Sequence, residues 1–125
     1  MISLTKEKYN IAVVGLGYVG LPLAIEFSKK YKTIGFDTNP NRVNNLKKGS
    51  DVTNEISSAT LLETKLEVTS EASSLDNCNI FIITVPTPVN LDKKPDFTHI
   101  INASKTVGKF IKNDSIVIYE STVYP

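Results

Sequence analysis

The chain has 125 residues, of which 41% are hydrophobic and 22% are charged, and its formal net charge is +1. These values are ordinary for one soluble globular domain, and the balanced charge favours neither a nucleic acid nor a membrane surface as partner. The single cysteine, Cys78, excludes an internal disulfide, and no apolar run is long enough to span a bilayer. The N-terminus lacks the apolar core of a signal peptide, so a cytoplasmic protein is expected.

The first predicted elements are an apolar strand and the helix that follows it. Residues 10–15, NIAVVG, form the short β-branched run that is typical of a buried parallel strand. A helix is expected over residues 18–30, because Val19, Leu23 and Phe27 recur every four residues. With Gly20 and Ala24 beside them, they would form one apolar face.

A second strand and a second helix follow. Residues 32–37, KTIGFD, predict a strand that ends on an acidic residue. Asn39 is a suitable N-cap, Pro40 suits the first helical position and Gly49 suits the C-terminal stop, so a helix is predicted between them. The pattern then becomes ambiguous, with a short helix favoured near residues 59–64.

The second half of the chain predicts three strands and one long helix. Residues 65–70 favour a short strand, whereas residues 79–86 and 115–122 predict strands that are buried. Asp96 is expected to cap a helix over residues 97–112. The inner stripe of that helix is expected to contain Ile100, Ser104, Val107 and Ile111.

The alternation of strands and helices determines the expected architecture. Such βαβ units with right-handed crossovers build a mainly parallel sheet with helices on both faces. We therefore predict a doubly wound α/β fold that forms one domain over residues 1–125.

Three glycines in the pattern G-x-G-x-x-G lie between the first strand and the first helix. Gly15 would permit the tight turn, Gly17 would let a pyrophosphate approach the backbone, and Gly20 would let the helix pack close to the sheet. The free N–H groups of Tyr18, Val19 and Gly20 would bind the phosphates, aided by the helix dipole. This context predicts a dinucleotide site of the Rossmann type.

Asp37 supplies the second part of the dinucleotide fingerprint. Its carboxylate follows the second strand, where it can accept hydrogen bonds from the adenine-ribose hydroxyls and repel a 2′-phosphate. NAD is therefore favoured over NADP as cofactor. Arg42 keeps NADP possible as the cofactor, because a nearby arginine could bind the 2′-phosphate of NADP. With Asp37 present, we interpret Arg42 as lying along the ribose or the adenine.

Two further candidates follow later strands, at the sheet edge where ligands of open α/β sheets bind. Pro86 and Thr87 begin a stiff loop that could present the Thr87 hydroxyl to the cofactor. Ser121 and Thr122 place two hydroxyls where a nicotinamide should lie. A rigid surface turn and a strand-end cap are the competing structural interpretations.

Cys78 and His99 are interpreted without a functional role. Cys78 precedes a buried strand and has no visible basic partner, so we expect a small packed residue. His99 has no nearby motif and is expected on the surface. The chain shows no spacing of metal ligands.

Four stretches together carry a family resemblance: IAVVGLGYVGLPLA, GFDTNPNRV, ITVPTPV and YESTVYP. From Tyr9 onward the chain resembles the N-terminal, NAD-binding domain of the UDP-glucose/GDP-mannose dehydrogenase family. It is most similar to the bacterial branch that oxidises UDP-N-acetylhexosamines for capsule, O-antigen or Vi-type polysaccharides. The resemblance implies an enzyme that oxidises the C6 alcohol of a UDP-sugar to a carboxylate with two NAD⁺, as a homodimer.

The resemblance also implies roles for individual residues. It matches Val19 and the three glycines to the pyrophosphate turn, Asp37 to the ribose-binding acid and Arg42 to the basic residue that follows it. Thr87 matches a threonine that contacts NAD. Thr122 matches a threonine near the nicotinamide and the catalytic water, and it is therefore the one candidate catalytic residue.

Members of that family are considerably longer than this chain, and their catalytic cysteine and lysine lie beyond the four motifs. The expectation is a truncated N-terminal fragment that binds NAD without turnover, with its last strand exposed at an edge that is prone to association. Two alternatives stay open: the NAD domain of a β-hydroxyacid or 6-phosphogluconate-type dehydrogenase, and a non-catalytic NAD-sensing regulatory module. VPTPV and ESTVYP argue against the first, and the Ser121–Thr122 pair fits the second poorly.

Overall fold

A parallel sheet of five strands forms the centre of the protein in the computed structural model, which describes residues 8–120. The strands are β1 (Asn10–Val14), β2 (Lys32–Phe36), β3 (Glu67–Thr69), β4 (Ile80–Ile83) and β5 (Ile116–Tyr119). Their order across the sheet is β3-β2-β1-β4-β5, and every neighbouring pair is parallel. The chain therefore moves outward from β1 in one direction and then crosses to the other side of β1, so the strand order reverses between β1 and β4.

Helices cover both faces of this sheet. They are α1 (Gly20–Ser28), α2 (Pro40–Lys47), α3 (Ser58–Glu63), a 3₁₀ helix (Ala72–Asn77) and α4 (Thr98–Gly108). One core joins the inward residues of α1, α2 and α3 to alternate residues of β1 and to Ile82. The other core joins the 3₁₀ helix and α4 to the remaining strand residues. This arrangement confirms the predicted α/β fold of the Rossmann type, doubly wound and parallel.

The signals predicted at the ends of α2 are confirmed. The Asn39 side-chain oxygen accepts hydrogen bonds from the backbone N–H groups of Asn41 (3.0 Å) and Arg42 (3.3 Å), and Pro40 occupies the first helical position. Gly49 has φ +86°, the left-handed conformation that a helix-ending glycine adopts without strain. The start of α2 is therefore determined locally, directly beside the end of β2.

The predicted face of α1 is partly wrong. Gly20 and Ala24 are buried as predicted, together with Leu21, Ile25 and Ser28, whereas Val19 is 56% exposed and Leu23 and Phe27 are half-buried. The reason is the close approach of the helix to the sheet, which requires its smallest residues, four apart, to face the strands.

The predicted stripe of α4 is partly wrong. Ala103 and Val107 are its buried residues, and Ile111 is 48% exposed because the helix ends at Gly108. Asp96 does bond the first turn as expected, since its Oδ1 accepts from the Thr98 N–H (2.9 Å) and the Thr98 hydroxyl (2.6 Å). Phe97, one residue later, is the N-cap position.

The expectation that the last strand is buried is wrong for β5. Within residues 8–120, β5 pairs with β4 and has no strand on its other side. Ile116, Ile118 and Tyr119 are 51%, 38% and 49% exposed, respectively. Only Val117 packs against the core beneath α4. The exposed edge expected for the last strand is therefore confirmed.

The 3₁₀ helix was not predicted, and it closes one core through the fully buried Leu75. Cys78, which follows it, is 3% exposed and belongs to the same core, as expected for a packed thiol. Burial raises the pKa of the Cys78 thiol to about 11, so it is a poor nucleophile at neutral pH. No helix between residues 8 and 120 is long and apolar enough to cross a bilayer.

Candidate cofactor site

A cleft of about 430 Å³ opens at the carboxyl edge of the sheet, where the strand order reverses. Ligands of open α/β sheets bind at such a switch point. Its walls come from the segments after β1, β2 and β4 and from α4, and they include Gly15, Leu16, Gly17, Asp37, Thr38, Asn39, Arg42, Thr84, Val85, Pro86, His99, Asn102 and Thr106.

Gly15 and Gly20 shape the turn between β1 and α1. Gly15 has φ +104°, which L residues with a side chain rarely adopt. A methyl group on Gly20 would overlap the Gly15 carbonyl oxygen and the Thr84 hydroxyl. That hydroxyl donates to the Gly15 carbonyl at 2.6 Å, so the turn is bonded directly to the end of β4. This geometry agrees with the roles predicted for the two glycines, a tight turn at Gly15 and close packing of the helix at Gly20.

Gly17 lies on the open side of the same turn. Nothing lies within 4 Å of the position that a Cβ would take there. Among residues 8–120, no acceptor bonds the N–H groups of Gly17, Tyr18, Val19 and Gly20. The first turn of a helix leaves such N–H groups free, and together with the helix dipole they favour an anion. Tyr18 and Val19 are exposed beside this turn and do not line the cleft.

Asp37 also lines the cleft, immediately after β2. One carboxylate oxygen accepts from the Leu16 N–H at 3.0 Å, and the other accepts from the Asn39 N–H at 2.9 Å. These two bonds fix the carboxylate between the glycine turn and α2. Each oxygen keeps a second lone pair with which it could accept from a ribose hydroxyl.

Arg42 lines the cleft, but its guanidinium is bound within the protein. Nε and Nη2 donate to the Leu16 carbonyl at 2.9 and 2.6 Å, and Nη1 donates to Asp51 Oδ1 at 2.8 Å. The Arg42 side chain is 10% exposed and that of Asp51 is fully buried. The structure therefore brings Arg42 to the site as a buried, paired cation.

Asp51 is surrounded by donors from the segment that follows it. Its oxygens accept from the N–H groups of Thr53, Glu55 and Ile56 and from the Thr53 hydroxyl, at 2.6 to 3.1 Å. Burial alone would raise the pKa of Asp51, but the bonds from Thr53, Arg42 and the backbone outweigh burial and lower it from 3.8 to about 2. Asp51 is therefore ionised at any pH near neutrality.

The loop after β4 contains the remaining predicted contacts. Pro86 lines the cleft, whereas Thr87 lies just behind it, 9% exposed. The Thr87 hydroxyl is buried and has no hydrogen-bond partner among the described residues. Such an orphaned hydroxyl beside a cleft fits a site that a polar ligand completes. Ser121 and Thr122 lie outside the described residues.

Two groups of site residues were missed from the sequence. His99, Asn102 and Thr106 recur every three to four residues on α4 and line the cleft. His99 is exposed as expected, but it faces this cleft, and its helical spacing could have revealed that. No local sequence pattern marks Asp51 as a residue of the site. No cluster of three metal-ligating side chains occurs in residues 8–120.

The fold and the cleft together define a dinucleotide-binding domain. A glycine turn opens a helix with free N–H groups, a carboxylate follows the neighbouring strand, and both meet at the switch point of a parallel sheet. The residues present fit NAD, because an uncovered backbone at Gly17 and an acceptor at Asp37 are what its pyrophosphate and adenine ribose require.

Residues 9–125 match the model of the UDP-glucose/GDP-mannose dehydrogenase family, NAD binding domain, and the chain belongs to this family. It is 53% identical over 117 residues to UDP-N-acetyl-D-glucosamine 6-dehydrogenase of Pseudomonas aeruginosa and 51% identical over 120 residues to that of Salmonella typhi. These alignments cover 93% and 95% of the chain. A solved UDP-D-ManNAc dehydrogenase from Pyrococcus horikoshii superposes with a TM-score of 0.86 at 35% identity, over 93% of the chain and 29% of that structure.

The chain spans 28% of the length of both curated relatives. Membership in the family confirms the predicted NAD cofactor and the predicted family.

Proposed function

We propose that this chain is the NAD-binding part of a UDP-sugar 6-dehydrogenase. The reaction oxidises the C6 alcohol of a UDP-N-acetylhexosamine or UDP-glucose to a carboxylate, consumes one water and reduces two NAD⁺ to NADH. The observation that carries the proposal is the cleft itself, which brings the glycine turn, Asp37 and Pro86 to one sheet edge. The choice of substrate class is supported by the two relatives that are named UDP-N-acetyl-D-glucosamine 6-dehydrogenase.

Each part of the cleft is assigned a task in holding the cofactor. The N–H groups of Gly17, Tyr18, Val19 and Gly20 bind the pyrophosphate, and the bare Cα of Gly17 lets it approach. Asp37 accepts hydrogen bonds from the adenine ribose. When bound, NAD⁺ supplies the hydride acceptor for both oxidation steps.

Pro86, Thr87 and Thr122 are assigned to the nicotinamide half. Pro86 forms the wall of the cleft after β4, and the unpaired hydroxyl of Thr87 becomes a hydrogen-bond partner of the cofactor. Thr122 lies outside the described residues, and we propose that it positions the water that attacks the acyl intermediate. The same proposal includes a homodimer and a cytoplasmic location for the complete enzyme.

The test of cofactor choice is a calorimetric titration of the chain with NAD⁺ and NADP⁺. Asp37 should make NAD⁺ the tighter ligand, by about tenfold or more, because its charge repels a 2′-phosphate. Asp37→Asn keeps an acceptor for the Asn39 N–H but removes the charge, so the preference should shrink. Equal binding of the two cofactors by the unmodified chain would contradict the assignment of Asp37.

The test of the reaction uses the complete protein that contains this domain. It is incubated with NAD⁺ and, separately, with UDP-glucose, UDP-GlcNAc, UDP-GalNAc or UDP-ManNAc, and NADH and uronate are measured. We expect two NADH per uronate with one of these sugars. NAD⁺ binding without NADH formation from any of them would favour a sensing module and overturn the proposed reaction.

A further inference from the structure

Arg42 and Asp51 form a buried pair that the assignment of cofactor-binding roles leaves unexplained. A cation beside the adenine-ribose site is the usual means of binding a 2′-phosphate, and Arg42 lines that site. Here, however, the cation is neutralised by a fully buried carboxylate 2.8 Å away. The question is what this carboxylate does to the cofactor preference.

The guanidinium is engaged on both of its sides. An arginine binds phosphate best through two parallel N–H groups. In Arg42, the Nε and Nη2 pair already donates to the Leu16 carbonyl, and Nη1 donates to Asp51. These three bonds use three of the five guanidinium N–H groups and fix the orientation of the group, so that turning toward a ribose phosphate would break them.

Asp51 cannot follow Arg42 outward. Its oxygens are held by three backbone N–H groups and one hydroxyl from Thr53, Glu55 and Ile56. Moving the guanidinium away would therefore leave an ionised carboxylate buried without its cation, which is strongly unfavourable. The segment after α2 thus fixes the orientation of Arg42 in the cleft wall by fixing Asp51.

The pair also reaches the glycine turn. Arg42 holds the Leu16 carbonyl, and Asp37 holds the N–H of the same residue at 3.0 Å. Leu16, which lies between Gly15 and Gly17, is therefore bound to Asp37 through its N–H and connected through its carbonyl and Arg42 to Asp51.

We propose that Asp51 is a specificity-determining positioning residue: it holds Arg42 against the Leu16 carbonyl and keeps it from turning toward a 2′-phosphate, so that the charge of Asp37 determines the choice and NADP⁺ is rejected. Asp51 touches no cofactor in this arrangement and acts only through Arg42. The inference rests on the proposed binding mode, in which the adenine ribose lies at Asp37.

The experiment measures the affinity of the 125-residue chain for ADP-ribose and for 2′-phospho-ADP-ribose by titration calorimetry. Asp51→Asn should lower the preference for ADP-ribose by about tenfold, because the released cation can pair with the phosphate. The matched control, Thr53→Val, removes one hydrogen bond to Asp51 but leaves its charge, and should not change the ratio. Adding Arg42→Gln to Asp51→Asn should abolish the gain in phosphate binding.

The ratio of the affinities for ADP-ribose and 2′-phospho-ADP-ribose distinguishes a positioning role of Asp51 from a purely structural role. If Asp51 were only structural, Asp51→Asn would weaken both ligands equally, and an unchanged ratio would overturn the proposal. Failure of the unmodified chain to bind ADP-ribose would instead overturn the binding mode on which the proposal rests.

A second measurement needs no variant and therefore no assumption about folding. In a ¹⁵N NMR spectrum of the unmodified chain, the Arg42 Nε–H should exchange slowly with water, because it is bonded to Leu16. It should also respond equally to the two ligands. A large shift caused by 2′-phospho-ADP-ribose alone would show that Arg42 binds the phosphate, and would contradict the proposal.

Discussion

Gly17 and Gly20 belong to one motif, but the structure gives them different physical roles. An alanine methyl at Gly20 would overlap backbone and a bonded hydroxyl, whereas one at Gly17 would meet nothing within 4 Å. The first glycine therefore leaves room for a ligand, and the second permits packing. The sequence pattern predicts both roles but cannot separate their effects on stability and on binding.

Substituting these two glycines separates the two roles. Gly20→Ala should lower the free energy of unfolding by about 3 kcal/mol or more, because the overlapped atoms are fixed by the sheet. Gly17→Ala should change it by no more than about 0.5 kcal/mol, but should weaken NAD⁺ binding by about tenfold. Urea unfolding and calorimetric titration measure the two quantities. Similar stability losses in both variants would contradict this division.

The ionisation of Asp51 makes stability depend on pH. Its folded pKa of about 2 lies below the unfolded value of 3.8, so its contribution is fully present above about pH 4 and is lost as the pH falls through about 2. The free-energy difference between the unmodified chain and Asp51→Asn should shrink by about 2 kcal/mol between about pH 5 and about pH 2. Thr53→Val should show part of this loss. A difference that does not vary with pH would contradict the assignment.

At the scale of single residues, the sequence predicts those site residues that belong to a local pattern. Asp37 and the glycines stand at fixed places relative to strands, so the strand pattern locates them. Asp51 stands in an irregular segment, and its partner Arg42 faces it only after α2 and the segment after it have folded back. No spacing in the sequence expresses that contact.

At the scale of elements, the ends of helices were easier to predict than their faces. The start of α2 is determined by the Asn39 side chain and by Pro40, both of which act within one turn. The rotation of α1 depends instead on a contact between Gly20 and residues far along the chain, Thr84 among them. Periodicity therefore predicted the helix and, through Gly20 and Ala24, only part of the face that it buries.

The cap of α2 can be tested directly. Asn39→Ala removes the acceptor for two N–H groups and should lower the free energy of unfolding by about 1 kcal/mol. Asn41→Ala, at an exposed position in the same helix, should cost little because no side-chain bond is lost there. Thermal unfolding followed by circular dichroism measures both variants. Equal losses would argue against the cap.

At the scale of the whole molecule, the two sides of the sheet are covered unequally. Val117 of β5 packs beneath α4, but Ile116 and Ile118 point to the other face and stay largely exposed. Sequence analysis predicted a buried strand because all four β5 residues are apolar. Burial depends on what lies beside a strand, and composition does not specify its neighbours.

The exposed face of β5 should cause self-association of the chain at high concentration. Ile116→Lys adds a charge to that face and should reduce the association seen by sedimentation velocity. Ile101→Lys is the matched control, since Ile101 is 50% exposed on α4 and Ile116 is 51% exposed on β5. If both variants reduced association equally, general charge rather than the β5 face would be responsible.

The order of the strands has a consequence for synthesis. The glycine turn and Asp37 are made early, but the opposite wall of the cleft comes from α4, which reaches Thr106. β1 also acquires its second neighbour only when β4 has been made, because Ile11 pairs with Ile80. At ribosomal rates of about 5–20 residues per second, the nascent chain spends on the order of ten seconds with the fingerprint but without the cleft. Cofactor capture must therefore follow translation of α4, and NAD cannot act as a template for the first half of the sheet.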